Sequence, residues 1–226
     1  MKLKMGADEA GRGPVLGPLV ICAALFSDEC EDQLVSCGVD DSKKLTSKKR
    51  EQLAKIIKEK AIDFEIVSIP AKKIDAAQNK GINLNDLEVI GFVKAINRLL
   101  ERNGVPDCIW LDAADVNPQR FEEKIKKKLK ENVDIVASHK GDEKFTCVGA
   151  ASILAKTHRD SSIQDLCEKY GDIGSGYPGD PKTRQFLKDY YKEHNKFPPF
   201  ARKCWDTLKK LEKEMGIRPK GQAALF

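Results

Sequence analysis

Two adjacent carboxylates followed by a glycine-rich turn constrain this chain more than any other feature. Asp8 and Glu9 end an apolar stretch near the N-terminus. The turn that follows contains Gly11, Arg12 and Gly13. Neighbouring side chains on a regular strand point to opposite faces, so both acids can serve one site only where the strand stops or bulges. Because glycine provides such a break and lets a backbone approach a ligand closely, we predict a strand over residues 2–8 that ends at a ligand-facing turn.

Strand and helix patterns alternate along the following residues. Apolar or alternating stretches predict four further strands, at residues 18–26, 64–70, 108–112 and 133–138. Periodic apolar positions predict helices at residues 47–61, 71–78, 85–103, 118–131 and 146–170. The polar segment 28–46 is predicted to be a loop, and Asn85 with Glu88 resembles a capping box. The pattern favours an α/β fold, a mixed central sheet of about five strands that combines a hairpin with parallel strands and is flanked by helices.

The chain becomes helical after residue 180, with helices predicted at 181–193 and 203–215. We therefore divide it into a core domain, residues 1–180, and a C-terminal helical appendage with a flexible tail, residues 181–226. Trp205 either packs the appended helices onto the core or touches a nucleic-acid backbone, and the sequence does not decide between these roles.

Composition narrows the class of protein. A net charge of +5 permits a nucleic-acid partner without requiring one. Seven scattered cysteines, none in a C-x-x-C pair, argue against a disulfide framework or a zinc site and fit a reducing cytosol. With no signal pattern and no apolar run of about 18 residues, we expect a cytoplasmic protein without membrane spans.

Three acids lie at or just past the C-terminal ends of predicted strands: Asp8, Asp112 and Asp142. Sites in open α/β sheets gather at such ends, so these acids are expected to converge with Glu9. Clustered carboxylates repel one another unless cations are present, and Mg²⁺ and Mn²⁺ favour oxygen ligands. The pattern predicts a two-metal site of the kind that hydrolyses phosphodiesters, although any one of these acids is equally explained as a solvated loop residue.

Six segments in sequence resemble type 2 ribonuclease H (ribonuclease HII). They are DEAGRGP at 8–14, DDSKKL at 40–45, WLDAAD at 110–115, HKGDEKF at 139–145, AASILAKTHRD at 150–160 and GSGYPGDP at 174–181. The resemblance implies a ribonuclease H-like fold and two divalent ions, Mg²⁺ or Mn²⁺. The acids that it implies as catalytic metal ligands are Asp8, Glu9, Asp112 and Asp142. The implied enzyme cleaves the RNA strand of RNA–DNA hybrids and cuts 5′ to ribonucleotides embedded in duplex DNA, leaving 5′-phosphate and 3′-hydroxyl ends.

An enzyme selective for RNA must sense the 2′-hydroxyl. By resemblance, the glycine-rich turn contacts the ribose and Tyr177 senses the RNA–DNA junction. The resemblance also suggests two lysines that hold phosphates, and a serine and a lysine that support the substrate backbone. The full predicted substrate-binding set is Gly11, Arg12, Gly13, Lys43, Lys44, Ser152, Lys156 and Tyr177.

The C-terminal residues Gln222, Leu225 and Phe226 partly resemble a peptide that binds a sliding clamp, and a frayed terminus is the alternative. We expect a monomer. A non-catalytic nucleic-acid-binding module would explain the basic charge but would leave the acids at the strand ends unexplained. A P-loop NTPase is disfavoured because Gly-Lys-Ser/Thr is absent. A type 3 ribonuclease H is expected to carry a long extra domain before its first strand, whereas the acids here begin at position 8.

Overall fold

The computed structural model describes residues 2–39 and 45–217. Its five-stranded sheet has the order β3-β2-β1-β4-β5. The strands are β1 (Leu3–Ala10), β2 (Leu19–Ser27), β3 (Asp63–Ile69), β4 (Cys108–Asp112) and β5 (Ile135–Ser138). β1 pairs antiparallel with β2, and β2 with β3, whereas β4 lies parallel to β1 and β5 parallel to β4. The predicted mixed sheet, a hairpin beside parallel strands, is confirmed.

Helices cover both faces of this sheet and form the C-terminal part. In chain order they are α1 (Asp28–Ser36), α2 (Ser47–Lys60), α3 (Ala71–Asn79), α4 (Leu84–Asn103), α5 (Pro118–Lys126), α6 (Gly141–Lys144), α7 (Thr146–Tyr170), α8 (Pro181–His194) and α9 (Asp206–Glu214). Within the described ranges no helix combines the length and the apolar character that crossing a bilayer requires.

Each face of the sheet has its own core. Met5 and Ala7 of β1 pack in the cluster that contains α3, α4 and α5. Ala10 packs in the opposite cluster, with α1, α2 and α7. Gly6 also faces α7, where an added Cβ would lie 2.2 Å from the carbonyl carbon of Cys147, so the helix backbone rests directly on the strand. This contact sets the first turn of α7 against the middle of β1, and the helix continues past Ser152, beside Asp8, to Arg159, whose side chain approaches Gly11.

A third apolar cluster joins the C-terminal helices to the loop between β1 and β2. Val15 and Leu16 of that loop are fully buried with Leu187 of α8 and Leu211 of α9. Trp205 packs against both this cluster and the α4 face of the sheet, so it fastens the appended helices to the core, the first of its two predicted roles. The division at residue 180 stays a prediction.

Two predicted boundaries near the site are wrong. β1 does not end at Asp8 but continues to Ala10, which pairs with Val20, because the backbone turns only at Gly11 with φ of 86°. The N-cap of α4 is Asn83, whose side chain accepts a hydrogen bond from the amide of Asp86 at 2.9 Å. The capping pair expected from the sequence, Asn85 and Glu88, instead accepts hydrogen bonds from the guanidinium of Arg12.

Two other predictions need correction. Residues 28–36, expected as loop, form α1, where acids in the first turn suit the helix dipole and Leu34 is buried against α7 and its neighbours. α5 ends at Lys126 rather than near residue 131, since Leu129 turns back onto the core while the lysines around it remain outside.

Candidate active site

The four predicted catalytic acids come from three neighbouring parallel strands and their ends. Asp8 and Glu9 lie in β1, Asp112 is the last residue of β4, and Asp142 lies in α6 just after β5. Because these strands run parallel, their carboxyl ends share one edge of the sheet. Asp8 is directed to the α7 side and Glu9 to the α4 side, as the alternation of a regular strand requires, so no break between them brings the two side chains together. Both lie in the last three residues of β1, where Glu9 lines the groove and the charges of Asp8 and Asp112 act on it.

The charges of these acids act on one another. Burial raises the pKa of Asp8 to about 7, and the charges of Asp112 and Asp142 act in the same direction. Burial also raises the pKa of Glu9 well above its ordinary value, with the Asp8 charge as the next cause. The site therefore holds more carboxylate than its protein surroundings neutralise, which is the condition that a bound cation relieves.

The donor set suits a hard divalent cation. Glu9 Oε2 is buried and has no hydrogen-bond partner among the described residues. Asp8 Oδ1 accepts the amide of Glu9, and Asp112 Oδ1 accepts the amide of Gly141, each at 2.7 Å. Carboxylate oxygens are the ligands that Mg²⁺ and Mn²⁺ prefer. Within residues 2–39 and 45–217, no three or more side chains of aspartate, glutamate, histidine or cysteine lie close enough together, as they stand, to hold a metal ion.

Helix α7 brings two predicted substrate residues to this edge. Lys156 Nζ lies 3.7 Å from Asp142 Oδ2, in an ion pair that is largely shielded from solvent. Ser152, one turn earlier, is fully buried beside Asp8, where it and Lys156 lower the pKa of that carboxyl without overcoming the effect of burial. The structure therefore places both side chains against the acids rather than on an open surface.

The glycine-rich turn lines a groove of about 490 Å³ together with Glu9, Lys156 and Tyr177. Arg12 also lines this groove, and its guanidinium donates to Glu88 and Asn85 of α4. The charge of this arginine is therefore already paired with a carboxylate of the protein.

Tyr177 stands at the far wall of the groove and is 45% exposed. The guanidinium carbon of Arg159 lies 5.1 Å from the centre of the Tyr177 ring, a cation–π contact that fixes the orientation of the ring. Arg159 also donates to the carbonyl of Ser175 at 2.7 Å, which fixes the loop that carries the tyrosine.

The sequence did not single out several residues of the groove. Arg159 lines it from α7, and Arg50 lines it from α2, where it pairs with Asp160 at 3.0 Å. Arg159 belongs to the motif at 150–160, so the resemblance contained a signal for it, whereas Arg50 lies in the basic stretch Lys48-Lys49-Arg50, a pattern typical of a solvated helix face. Outside the groove, the buried Glu88 had only the signal of a helix cap, and the buried Arg202 had no local signal.

The remaining residues considered in the sequence lie outside the site or outside the described ranges. Asp115, which was not predicted as a metal ligand, pairs with Arg120 and accepts the amide of Asn117 at 3.0 Å. The residues that lie outside the described part of the chain are Lys43, Lys44, Gln222, Leu225 and Phe226.

Comparison with known proteins points to one family. The sequence model described as Ribonuclease HII matches residues 5–208. Ribonuclease HII of Thermococcus onnurineus is 49% identical over 228 residues, which span 100% of this chain and 97% of that protein. The ribonuclease H2 structure from Pyrococcus horikoshii has a TM-score of 0.87 at 41% identity, covering 96% of this chain and 100% of that one. Ribonuclease HII of Archaeoglobus fulgidus, solved in complex with PCNA, has a TM-score of 0.82 at 37% identity, covering 92% and 96%.

Proposed function

Because this chain belongs to the ribonuclease HII family, we propose that it is an endoribonuclease of RNA–DNA hybrids and of ribonucleotides embedded in duplex DNA. It cuts 5′ to the embedded ribonucleotide and leaves 5′-phosphate and 3′-hydroxyl ends. The observation that carries the proposal is the convergence of Asp8, Asp112 and Asp142 at one edge of the sheet, where burial raises the pKa of Asp8 to about 7 and the charges of the other two acids act in the same direction. Such a field repels a phosphodiester unless a cation is present, so it suits catalysis better than simple binding.

Asp8, Glu9, Asp112 and Asp142 would hold two divalent ions, Mg²⁺ or Mn²⁺. When bound, these ions supply a water of lowered pKa and stabilise the leaving oxygen in an in-line displacement. The unpartnered Oε2 of Glu9 and the crowded charge around Asp8 support this assignment.

The chain's own groups position the substrate around the acids. Lys156 keeps Asp142 oriented through their ion pair and places one positive charge beside the scissile phosphate. The turn of Gly11, Arg12 and Gly13 approaches the ribose, where the amides of Arg12 and Gly13 can donate to the 2′-hydroxyl. Tyr177 closes the far side and packs on the deoxyribose that follows the ribonucleotide. Ser152 supports this arrangement from beneath Asp8.

We also propose a cytoplasmic location, which the seven free cysteines support. The relative solved with PCNA supports a sliding-clamp partner for this chain. The assignment of that contact to Gln222, Leu225 and Phe226 rests on the sequence resemblance alone. A pull-down with the clamp, comparing the full chain with Phe226→Ala, tests this contact, which is absent if both bind equally.

The test of the function uses a labelled DNA duplex with one embedded ribonucleotide, incubated with Mg²⁺, with Mn²⁺ or with chelator. We expect a single cut 5′ to the ribonucleotide, lost with chelator and in Asp112→Asn. Asp134→Asn is the matched control, since Asp134 is an exposed acid beside the opposite end of β5. An all-DNA duplex stays intact.

Two results would change the proposal. Binding of the duplex without cleavage under either metal would indicate a nucleic-acid-binding module. Cleavage of long hybrids alone would keep the role of the acids and remove the one given to Tyr177.

A further inference from the structure

The short segment between α8 and α9 covers one whole side of the glycine-rich turn. Arg202 donates to the carbonyl of Gly11 at 2.6 Å and to that of Arg12 at 3.0 Å. The indole Nε1 of Trp205 donates to the carbonyl of Gly13 at 3.3 Å. Three successive carbonyls of the turn are therefore held by side chains about 190 positions further along the chain.

Arg202 is an unusual residue to bury. It is fully buried, and within the described ranges no carboxylate lies at ion-pair distance from it. Its remaining nitrogen, Nε, donates to the carbonyl of Gly17 at 3.1 Å. Burial lowers the pKa of Arg202 to about 10, which is the effect expected of a charge surrounded by dipoles rather than by an acid. Because a buried charge is costly, backbone carbonyls that accept from all three nitrogens are what make it tolerable here.

The positions of the carbonyls determine where the amides point. In a planar trans peptide the N–H is directed opposite to the C=O. With the carbonyls of Gly11 and Arg12 turned toward Arg202, the next amides, those of Arg12 and Gly13, point the other way. That side is the groove, whose walls include Glu9 and the turn but not Arg202.

The same segment also connects the turn to the loop of Tyr177. The amide of Arg202 donates to the carbonyl of Val15 at 2.9 Å. The amides of Val15 and Leu16 both donate to the carbonyl of Gly176, at 2.8 and 3.1 Å. The loop of Tyr177 and the segment that carries Arg202 are thus both hydrogen-bonded to the backbone of Val15 and Leu16, directly after the turn.

We propose that Arg202 and Trp205 are positioning residues for ribose recognition: by holding the carbonyls of Gly11 and Arg12, Arg202 aims the next amides, those of Arg12 and Gly13, at the 2′-hydroxyl. Trp205 fixes the end of the turn at the carbonyl of Gly13, since Pro14 has no N–H to aim. Neither touches the substrate, and the C-terminal helices take part in selectivity through them. This inference rests on the proposed function and adds to it the origin of the preference for a 2′-hydroxyl.

The experiment compares the wild type with Arg202→Met, Arg202→Lys and Trp205→Phe. Fluorescence anisotropy with chelator measures the ratio of the Kd for an all-DNA duplex to that for the same duplex with one ribonucleotide. Arg202→Met should lower this ratio by about tenfold, since it removes two hydrogen bonds to the turn and a third to the carbonyl of Gly17. Arg202→Lys should restore part of the ratio. Trp205→Phe keeps the ring and removes one donor, so a loss of about threefold is expected.

Leu187→Ala is the matched control, because Leu187 is fully buried in α8 and packs in the cluster that joins the C-terminal helices to Val15 and Leu16, but has no side-chain donor that could hold a carbonyl of the turn. It should lower the melting temperature and leave the ratio unchanged. Exchange of the hydrogen-bonded amides next to the turn, those of Val15 and Gly17, should accelerate more in Arg202→Met than in Leu187→Ala.

An unchanged ratio in both Arg202→Met and Trp205→Phe overturns the proposal, as does an equal loss in Leu187→Ala. If Arg202→Met does not fold, the ratio and the exchange rates of Trp205→Phe decide. A wild type that neither cleaves nor prefers the ribonucleotide contradicts the proposed function instead. The exchange rates then still report whether Arg202 orders the turn.

Discussion

Arg12 pairs its guanidinium with the carboxylate of Glu88, which is fully buried 76 positions further along the chain. Asn85 accepts a second hydrogen bond from the same guanidinium at 2.6 Å. The arginine of the turn is therefore held by α4, while Arg202 holds the carbonyls of the turn from the other side. The glycine-rich turn is therefore held by α4 on one side and by Arg202 on the other before any substrate binds.

Arg12→Ala should destabilise the protein through the acid that it leaves behind. Breaking a buried ion pair costs about 3–5 kcal/mol, and we expect roughly 2–3 here because the Arg12 side chain is 38% exposed. The double variant Arg12→Ala/Glu88→Gln should be more stable than Arg12→Ala alone. Urea unfolding at pH 8 measures this, and destabilisations that simply add up would show that Glu88 is not the cause.

The chelated protein should lose stability as pH rises from 5 to 8. Burial raises the pKa of Asp8 and Glu88 to about 7 each, and that of Glu9 well above its ordinary value. Over this range the folded chain holds protons that the unfolded chain has released, so the free energy of unfolding falls with pH. Each unit of raised pKa is worth about 1.4 kcal/mol, which predicts a total loss of a few kcal/mol.

The difference between the wild type and Asp8→Asn isolates this effect. His158, whose pKa is lowered by burial, acts in the opposite direction, but its contribution cancels in the comparison. Asp8→Asn should show the smaller decline and be the more stable protein at pH 8 without metal. Added Mg²⁺ should reduce the decline in the wild type. Equal pH dependence of the free energy of unfolding in the two proteins would falsify the raised pKa of Asp8.

Much of the sheet follows from local patterns. The apolar run of β2 predicts a strand covered on both faces, and all nine of its residues are buried. Asp112 and Asp142 follow from their positions at strand ends, which parallel pairing brings to one edge. α1 was missed because Leu34 is its buried residue, and a single apolar position gives no helical stripe.

The residues that hold the glycine-rich turn in place could not be predicted from the sequence. Arg202 contacts a carbonyl 191 positions away, and any residue supplies a carbonyl, so no side-chain pattern marks the partner. Asn85 and Glu88 do have a local pattern, yet both bind Arg12, and the helix is capped two residues earlier by Asn83. In both cases a tertiary contact overrides what the neighbouring residues indicate.

Gly6→Ala should be strongly destabilising. A Cβ at this position would lie 2.2 Å from backbone atoms of Cys147, so α7 would have to move off the sheet. We expect a loss at the upper end of the ~1–3 kcal/mol typical of overpacking, or beyond it. Gly179→Ala is the control, since its Cβ meets no heavy atom within 4 Å in the described part of the chain. Melting temperatures of the two variants test this, and similar values would mean that α7 sits more loosely on β1.

Tyr177→Ala should separate the two proposed substrates. The ring is 45% exposed beside the groove and is held by Arg159, so it is available to pack on a sugar without reorganising. Stacking contacts of this kind are worth about 1–3 kcal/mol, which corresponds to a loss of roughly 5- to 100-fold in kcat/KM at a single embedded ribonucleotide.

Long hybrids should be cut with a smaller loss, because each of their ribonucleotides is followed by another rather than by a deoxyribose. Tyr177→Phe should retain most activity if the ring is what matters, and lose it if the hydroxyl is. Tyr190→Ala is the control, since Tyr190 lies on α8 and lines a different cavity. Equal losses on both substrates in Tyr177→Ala would assign the tyrosine to general duplex binding instead of to the junction.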